Sequence, residues 1–268
     1  MSVGIIIVGA LGRMGKEIAE MALKDTECLL RGAIEYKKHP LTGKDYGTCL
    51  GKDPAGIAVT DSIAGIDCTD SVCIDFSSPA ALRDLAPLAA EKKGPLVIGT
   101  TGLSADDTTF IQSFSSRIPI LISPNMSLGI NLLFLLTEMV ASRLKNDYDI
   151  EIIEAHHRFK KDAPSGTAKR LGEIVAGSLG LDYNACIKNG REGISASDRS
   201  RREVGMHAIR GGDIVGDHSV LFAGIGERIE LRHMAHDRSI LARGAIAAAK
   251  WLYNKDPGMY TMRDVLGF

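Results

Sequence analysis

Apolar positions along this chain follow two rhythms, one in each part of the sequence. Residues 3–8 form an unbroken apolar run, the mark of a strand covered on both faces, and a helical spacing over 16–23 follows it. The same succession recurs at 28–34, at 72–76 before a helical pattern to about residue 92, at 95–98 before a helix after Ser104, and at 118–122. Short apolar strands alternating with helices predict a parallel sheet of the α/β kind. A long helix is expected over 127–145, and beyond it the rhythm changes. Segment 148–154 alternates Ile150 and Ile152 with charged residues, as a half-buried strand does. Three more alternating segments, 204–209, 219–222 and 228–233, are broken by Gly211-Gly212-Asp213 and Gly224-Ile225-Gly226. They predict antiparallel strands with short turns, joined to 149–154 in a second, more open sheet. The polar segment 184–202 predicts a mobile loop, and 239–253 an Ala-rich helix carrying Trp251.

Composition narrows the classes of function. A chain of 268 residues with 45 % hydrophobic content supports one large or two ordinary domains. Net charge of −1 gives no global pull toward nucleic acid or anionic membrane, so any basic site is local. The five cysteines, Cys28, Cys49, Cys68, Cys73 and Cys186, are odd in number and form no C-x-x-C pair, so they read as small core residues in a reducing compartment. Residues 3–8 lack a basic flank and a cleavage site, which argues for a buried strand over a signal peptide. The run 128–140 holds Asn131 and Glu138 and is shorter than the ~20 residues of a membrane span, so a core helix in a soluble, cytoplasmic protein is expected. His233 and His236 have no carboxylate at ligand spacing, and no metal site is expected.

The first strand ends in Gly9-Ala10-Leu11-Gly12-Arg13-Met14-Gly15 before a helix. Strand, glycine turn and helix open a dinucleotide-binding unit: Gly9 makes the tight turn, Gly12 lets the backbone approach a pyrophosphate, and Gly15 lets the helix pack on the strand. Three glycines serving a plain tight turn is the alternative. Glu35 stands 20 positions beyond Gly15, where an acidic residue takes ribose hydroxyls, while Lys37 and Lys38 offer cations to a 2′-phosphate. Small and polar residues also close the later strands, in Gly99-Thr100-Thr101-Gly102 and Ser123-Pro124-Asn125-Met126, and a sheet of this kind presents such residues to its ligand. The fold class expected is α/β: an N-terminal Rossmann dinucleotide-binding domain with a second α+β domain built on an open mixed sheet.

The densest chemistry lies between residues 151 and 170. His156 and His157 are followed by Arg158, Lys160 and Lys161, and then by Asp162-Ala163-Pro164-Ser165-Gly166-Thr167. Asp162 or Ser165 is expected to cap a helix whose first turn holds Pro164, with apolar positions at Ala168, Leu171, Ile174, Val175 and Leu179 and a stop at Gly180. The amides of Gly166 and Thr167 then lie in a first turn, where the helix dipole attracts an anion. A cationic loop beside a helix N-terminus suggests a carboxylated or phosphorylated small molecule, and imidazole and ammonium groups within one turn suit general acid chemistry. A solvated basic loop with ordinary capping is the plain alternative.

The run His156-His157-x-x-Lys160-x-Asp162-Ala163-Pro164-Ser165-Gly166-Thr167-Ala168 resembles the signature of the dihydrodipicolinate reductase family of lysine biosynthesis, and the resemblance covers essentially the full length. It implies that His156 and Lys160 transfer protons and that His157, Gly166 and Thr167 hold the substrate. It also implies that Gly99, Thr100, Thr101, Ser123, Pro124, Asn125 and Met126 line the nicotinamide half of bound NADH or NADPH. Where that family often places an arginine, this chain has Tyr36. The domains expected are 1–126 plus 238–268 for the dinucleotide and 127–237 for substrate and oligomerisation. The resemblance implies reduction of 4-hydroxy-tetrahydrodipicolinate, a small-molecule dicarboxylate, by a cytoplasmic homotetramer. Hydride addition leaves density on the ring that must be protonated, with Lys160 the best donor if neighbouring cations lower its pKa and His156 orienting or relaying that proton; which of the two delivers it stays open at this point. Two rivals remain at this point: another small two-domain nicotinamide dehydrogenase, and a non-catalytic dinucleotide sensor, which would dispense with His156 and Lys160.

Overall fold

A computed structural model describes residues 2–268. In chain order its elements are β1 (Val3–Val8), α1 (Arg13–Ala22), β2 (Cys28–Ile34), α2 (Tyr46–Cys49), β3 (Val59–Thr60), β4 (Ser71–Asp75), α3 (Pro79–Glu91), β5 (Leu96–Ile98), α4 (Ala105–Gln112) and β6 (Pro119–Ile122). After these come α5 (Leu128–Leu144), β7 (Asp149–His156), α6 (Gly166–Leu179), α7 (Tyr183–Cys186), β8 (Ile187–Asn189), β9 (Val204–Arg210), β10 (Gly216–Ala223), β11 (Arg228–Ala235), α8 (Ser239–Leu252), β12 (Gly258–Tyr260) and α9 (Met262–Val265). The chain forms two compact units, one running to Leu128 and including Ser239–Phe268, the other Gly129–Arg238.

The first unit is built on a seven-stranded parallel sheet of order β12-β6-β5-β4-β1-β2-β3. Every residue of β1 is buried because the sheet is covered on both faces, which is why its sequence lacks polar alternation. Ile5 and Ile7 point to the layer that holds Ala19 of α1 and Ala245 and Ala249 of α8, whereas Ile6 and Val8 point to the layer of Leu82 and Ala86 of α3. Alanines and glycine on α8 let that helix lie close: a Cβ on Gly244 would stand 1.7 Å from the carbonyl oxygen of Met126. Strand β1 neighbours β2 on one side and β4 on the other, so the chain reverses its direction of winding there, and the crevice at the carboxyl ends of such strands is where ligands bind.

The second unit carries a five-stranded mixed sheet of order β11-β10-β7-β9-β8, with α6 packed on one face. One expectation fails here and another holds only in part. Strand β9 runs parallel to β7 and does not pair with β10; β7 lies between them. The glycines at 211 and 212 do not close a hairpin but carry the chain across the end of β7, where Gly211 N–H donates to the His156 carbonyl at 3.0 Å and Arg158 N–H to that of Gly212 at 3.1 Å. Segment 184–202 forms the expected loop over 190–202 but begins in regular structure. It contains most of α7 and all of β8, and its arginines hold it down: Arg199 donates to Asp149 at 2.7 Å and to Glu151 at 3.0 Å, and Arg191 to Glu151 at 2.8 Å and Glu203 at 2.6 Å. Charge that reads as loop is here an ion-pair lattice on the sheet's second face.

Candidate active site

In the first unit the glycine turn follows β1, and its shape depends on three absent side chains. Gly9 adopts φ of 75°, and a Cβ there would stand 2.6 Å from the Phe76 carbonyl oxygen. A Cβ on Gly15 would lie 2.3 Å from the Gly9 oxygen, and one on Gly12, the N-cap of α1, 3.2 Å from the same atom. Ala10 is buried, Leu11 half-buried, and Arg13 and Met14 open the helix. Glu35, just past β2, reaches the turn: its carboxylate accepts the Leu11 N–H at 2.9 Å and its own neighbour's, Tyr36, at 3.1 Å. A residue the sequence reading missed supports the loop from beneath. Tyr46, wholly buried in α2, donates its hydroxyl to the Ala10 carbonyl at 2.7 Å. Beside the turn opens a cavity of about 860 Å³ lined in part by Gly9, Gly12, Glu35, Tyr36, Ser77 and Ser78, and a helix N-terminus with a close glycine approach fits a dinucleotide's phosphates.

The other loops of this unit gather round a buried carboxylate, Asp75, at the end of β4. It accepts hydrogen bonds from Ser77 Oγ and Thr100 Oγ1, each at 2.5 Å, while Thr100 Oγ1 accepts the Ser77 N–H at 2.8 Å. Burial pushes Asp75 up to about 6, because neutral hydroxyls offset the loss of water only in part. Gly99 lies flat against Phe76, whose ring a Cβ would meet at 2.3 Å; Thr101 is exposed. After β6, Ser123 donates to the Asn125 carbonyl at 2.7 Å, Asn125 Oδ1 accepts the Ser127 N–H at 2.9 Å, Pro124 is exposed and Met126 buried.

In the second unit the chemistry collects at the end of β7. Strand alternation puts Ile150, Ile152, Glu154 and His156 on the face toward α6, so the last two bring polar groups into an apolar layer. Glu154 is fully buried. Its Oε2 lies 2.6 Å from His156 Nδ1, its Oε1 accepts the Ser165 N–H at 3.0 Å, and Arg210, opposite His156 on β9, donates to both oxygens at 2.8 Å. Burial alone would raise this carboxyl, but the bonds from Arg210, His156 and the Ser165 amide outweigh it and hold it below the usual range. His156 moves down, chiefly by burial, against the opposing pull of Glu154 and with help from the positive charges of Lys160 and Arg210. His218 on β10 sets its ring edge-on to His156 at 5.2 Å, places Nε2 3.1 Å from Ser165 Oγ, and is pushed down to about 3 by burial.

Ser165 caps α6, accepting the Ala168 N–H at 3.2 Å, with Gly166 and Thr167 as its first two residues. Pro164 therefore precedes the cap and is not in the first turn, and Asp162 does not cap. Asp162 binds Lys160 Nζ instead, at 2.9 and 3.0 Å, so the lysine's nearest charged partner is a carboxylate and not the expected cations. Nothing fills the space where a Gly166 side chain would be, which leaves room for an anion at the helix start. His157 is half-buried with its Nδ1 unpartnered. Among the described residues no group of His, Cys, Asp and Glu is placed to hold a metal ion, and no helix is long and apolar enough to cross a membrane.

A wholly parallel sheet with a glycine turn braced by Glu35, and a mixed-sheet unit bearing imidazole and ammonium groups, are the parts of a two-domain nicotinamide-nucleotide oxidoreductase. The family profiles described as dihydrodipicolinate reductase, N-terminus, and dihydrodipicolinate reductase, C-terminus, match residues 3–126 and 129–266. A 4-hydroxy-tetrahydrodipicolinate reductase of Syntrophus aciditrophicus (strain SB) is 45 % identical over 263 residues, 98 % of each chain. One of Thiobacillus denitrificans is 46 % identical over 267 residues, covering 100 % of this chain and 99 % of the relative. Among solved structures, a dipicolinate-bound dihydrodipicolinate reductase from Paenisporosarcina sp. TG-14 shares the fold with a TM-score of 0.76 at 20 % identity, over 97 % of this chain and 98 % of that one. The chain belongs to the dihydrodipicolinate reductase family.

Proposed function

We infer that this protein reduces 4-hydroxy-tetrahydrodipicolinate, with loss of water, to tetrahydrodipicolinate on the diaminopimelate route to lysine. The observation that carries the reading is the end of β7, where His156 stands beside the opening turn of α6 in a chain similar over its whole length to curated reductases. Residues 1–126 with 238–268 hold the nucleotide, through Gly9 to Met14, Glu35, and the loops Gly99 to Thr101 and Ser123 to Met126. Residues 127–237 hold the dicarboxylate. When bound, NADH or NADPH supplies a hydride.

The chain's own groups do the rest. One substrate carboxylate accepts hydrogen bonds at Gly166 and Thr167, each charge-assisted contact stabilising by about 1.5–3 kcal/mol. His157 meets the same anion from the strand's end. Hydride addition to a conjugated imine leaves electron density on the ring, which Lys160 protonates from Nζ, oriented by Asp162 and not activated by neighbouring cations, with His156 relaying the replacement proton. Glu35 accepts from ribose hydroxyls while Lys37, only 3.9 Å from Asp84 and largely exposed, is available to a 2′-phosphate. NADH and NADPH are therefore both used, within roughly tenfold in kcat/KM.

We place the protein in the cytoplasm as a homotetramer. Half-exposed Ile209 and Met234, in one row on the face of the second sheet away from α6, support the assembly, since such faces end up covered. Light scattering that gives the mass of one 28.7 kDa chain would contradict it. The substrate reading is tested by calorimetric titration of pyridine-2,6-dicarboxylate with NADH present. The parent is expected to bind and Gly166→Val, which crowds the anion, to lose binding; equal affinity in both would move the site elsewhere.

A further inference from the structure

The roles above leave one charge pair, fully buried Glu154 and half-buried Arg210, without a task. Glu154 is fully buried and sends its two oxygens to different elements, Oε2 to His156 Nδ1 and Oε1 to the backbone N–H of Ser165. Arg210 bonds both oxygens and also donates to the Asp162 carbonyl at 2.5 Å, so it grips the loop between the strand and α6. An ionised carboxylate only accepts. The shared proton therefore sits on His156 Nδ1, and Nε2 is left as the basic nitrogen of the ring.

We propose that Glu154, fixed by Arg210, is the positioning residue of the substrate site: one oxygen sets the tautomer of His156 and the other seats the turn that receives the substrate carboxylate. The inference rests on the reading that His156 and the first turn of α6 meet the dicarboxylate. It explains why a charged pair occupies sheet positions in phase with Ile152 and Met206, where apolar residues would cost less. The groups facing His156 are Glu154 on its own strand, Arg210 on β9, His218 on β10 and Lys160 on the following loop. Of these only Glu154 is an acceptor of the Nδ1 proton. A ring released from it could present either nitrogen, and the relay between Nε2 and the lysine would lose its direction.

Glu154→Gln keeps the size and the acceptor for Ser165 N–H but turns an NH₂ donor toward His156 Nδ1, which demands the opposite tautomer. The test is nitrogen-15 NMR of histidine-labelled, full-length protein without substrate, with His156→Asn to assign the signal, alongside steady-state kinetics. The parent is expected to carry its proton on Nδ1 and Glu154→Gln on Nε2. With it kcat should fall about 10²-fold while KM and nucleotide affinity stay within about threefold. Glu154→Asp, which can only accept, should restore the parent tautomer and part of kcat, which a merely structural role would not produce. An Nε2–H tautomer in the parent overturns the proposal, even if Glu154→Gln fails to fold. So does Glu154→Gln with parent kcat, or with nucleotide affinity lost in proportion. A parent with the expected spectrum but no turnover would instead refute the functional reading and leave the positioning role standing.

Discussion

Two carboxylates are buried at the carboxyl ends of strands in this protein, one in each unit, and they sit on opposite sides of the ordinary carboxylate range. Asp75 has two hydroxyls and is pushed up to about 6; Glu154 has a guanidinium, an imidazole and an amide and is held low. Burial is complete in both, so depth does not set the charge. The partners do. The first unit sets backbone turns and small residues beside its cavity, with the Asp75 carboxyl buried behind them and bonded only to neutral groups. The second places permanent charge beneath its imidazole, which suits proton transfer. The first environment is set by shape and neutral partners, the second by fixed charge.

The largest expected effect sharpens the second half of that contrast. Lys160→Ala should lower kcat by about 10²-fold or more, the range of a general acid, and leave NADH affinity nearly unchanged in a fluorescence titration. Equal loss of nucleotide affinity would transfer Lys160 to the other unit's chemistry.

The carboxylates themselves predict opposite dependence on pH. Asp75 keeps its proton to higher pH in the folded state than in the unfolded chain, where it titrates near 3.8. The folded state thus binds more protons between about pH 4 and 6, and stability falls as pH rises through that window, by about 3 kcal/mol for a shift of this size. Glu154 contributes stability above its unfolded value of 4.5 that is lost as pH falls through its lower folded value. Denaturant midpoints at pH 4, 5, 6 and 7 should show the parent losing ground to Asp75→Asn as pH rises. Parallel curves for the two proteins would break the comparison.

A smaller effect belongs to the helix start. Thr167→Val keeps the shape and the amide but removes the hydroxyl, so pyridine-2,6-dicarboxylate should inhibit ~10-fold less well, a loss of one charge-assisted contact. Unchanged inhibition constants would remove that hydroxyl from the site.

Much of the first unit was legible because its signals are local. Strands β1 and β2 run over the expected residues, being apolar runs ended by glycine or acid, and the glycine turn and Glu35 meet as their spacing suggested. Elements of two or three residues, β3 and β12, are too short to carry a period. Tyr46 lies in a polar stretch, and nothing in its neighbours announces that its hydroxyl supports the turn. In the second unit alternation gave strands but not their partners, so a crossover over β7 read as a hairpin. The signal for Glu154 and Arg210 was present in the phase of the pattern: both stand where the alternation calls for an apolar residue. A charge in that phase marks a group held by a partner, and the pair marks what it supports.

Turnover decides the account most directly. Nicotinamide absorbance is followed with purified protein while the coupled synthase supplies 4-hydroxy-tetrahydrodipicolinate, with NADH and NADPH in separate runs. Loss of absorbance that requires the synthase product, with both nucleotides and within roughly tenfold of each other, is the predicted result. No loss of absorbance with either nucleotide would contradict the reductase reading itself.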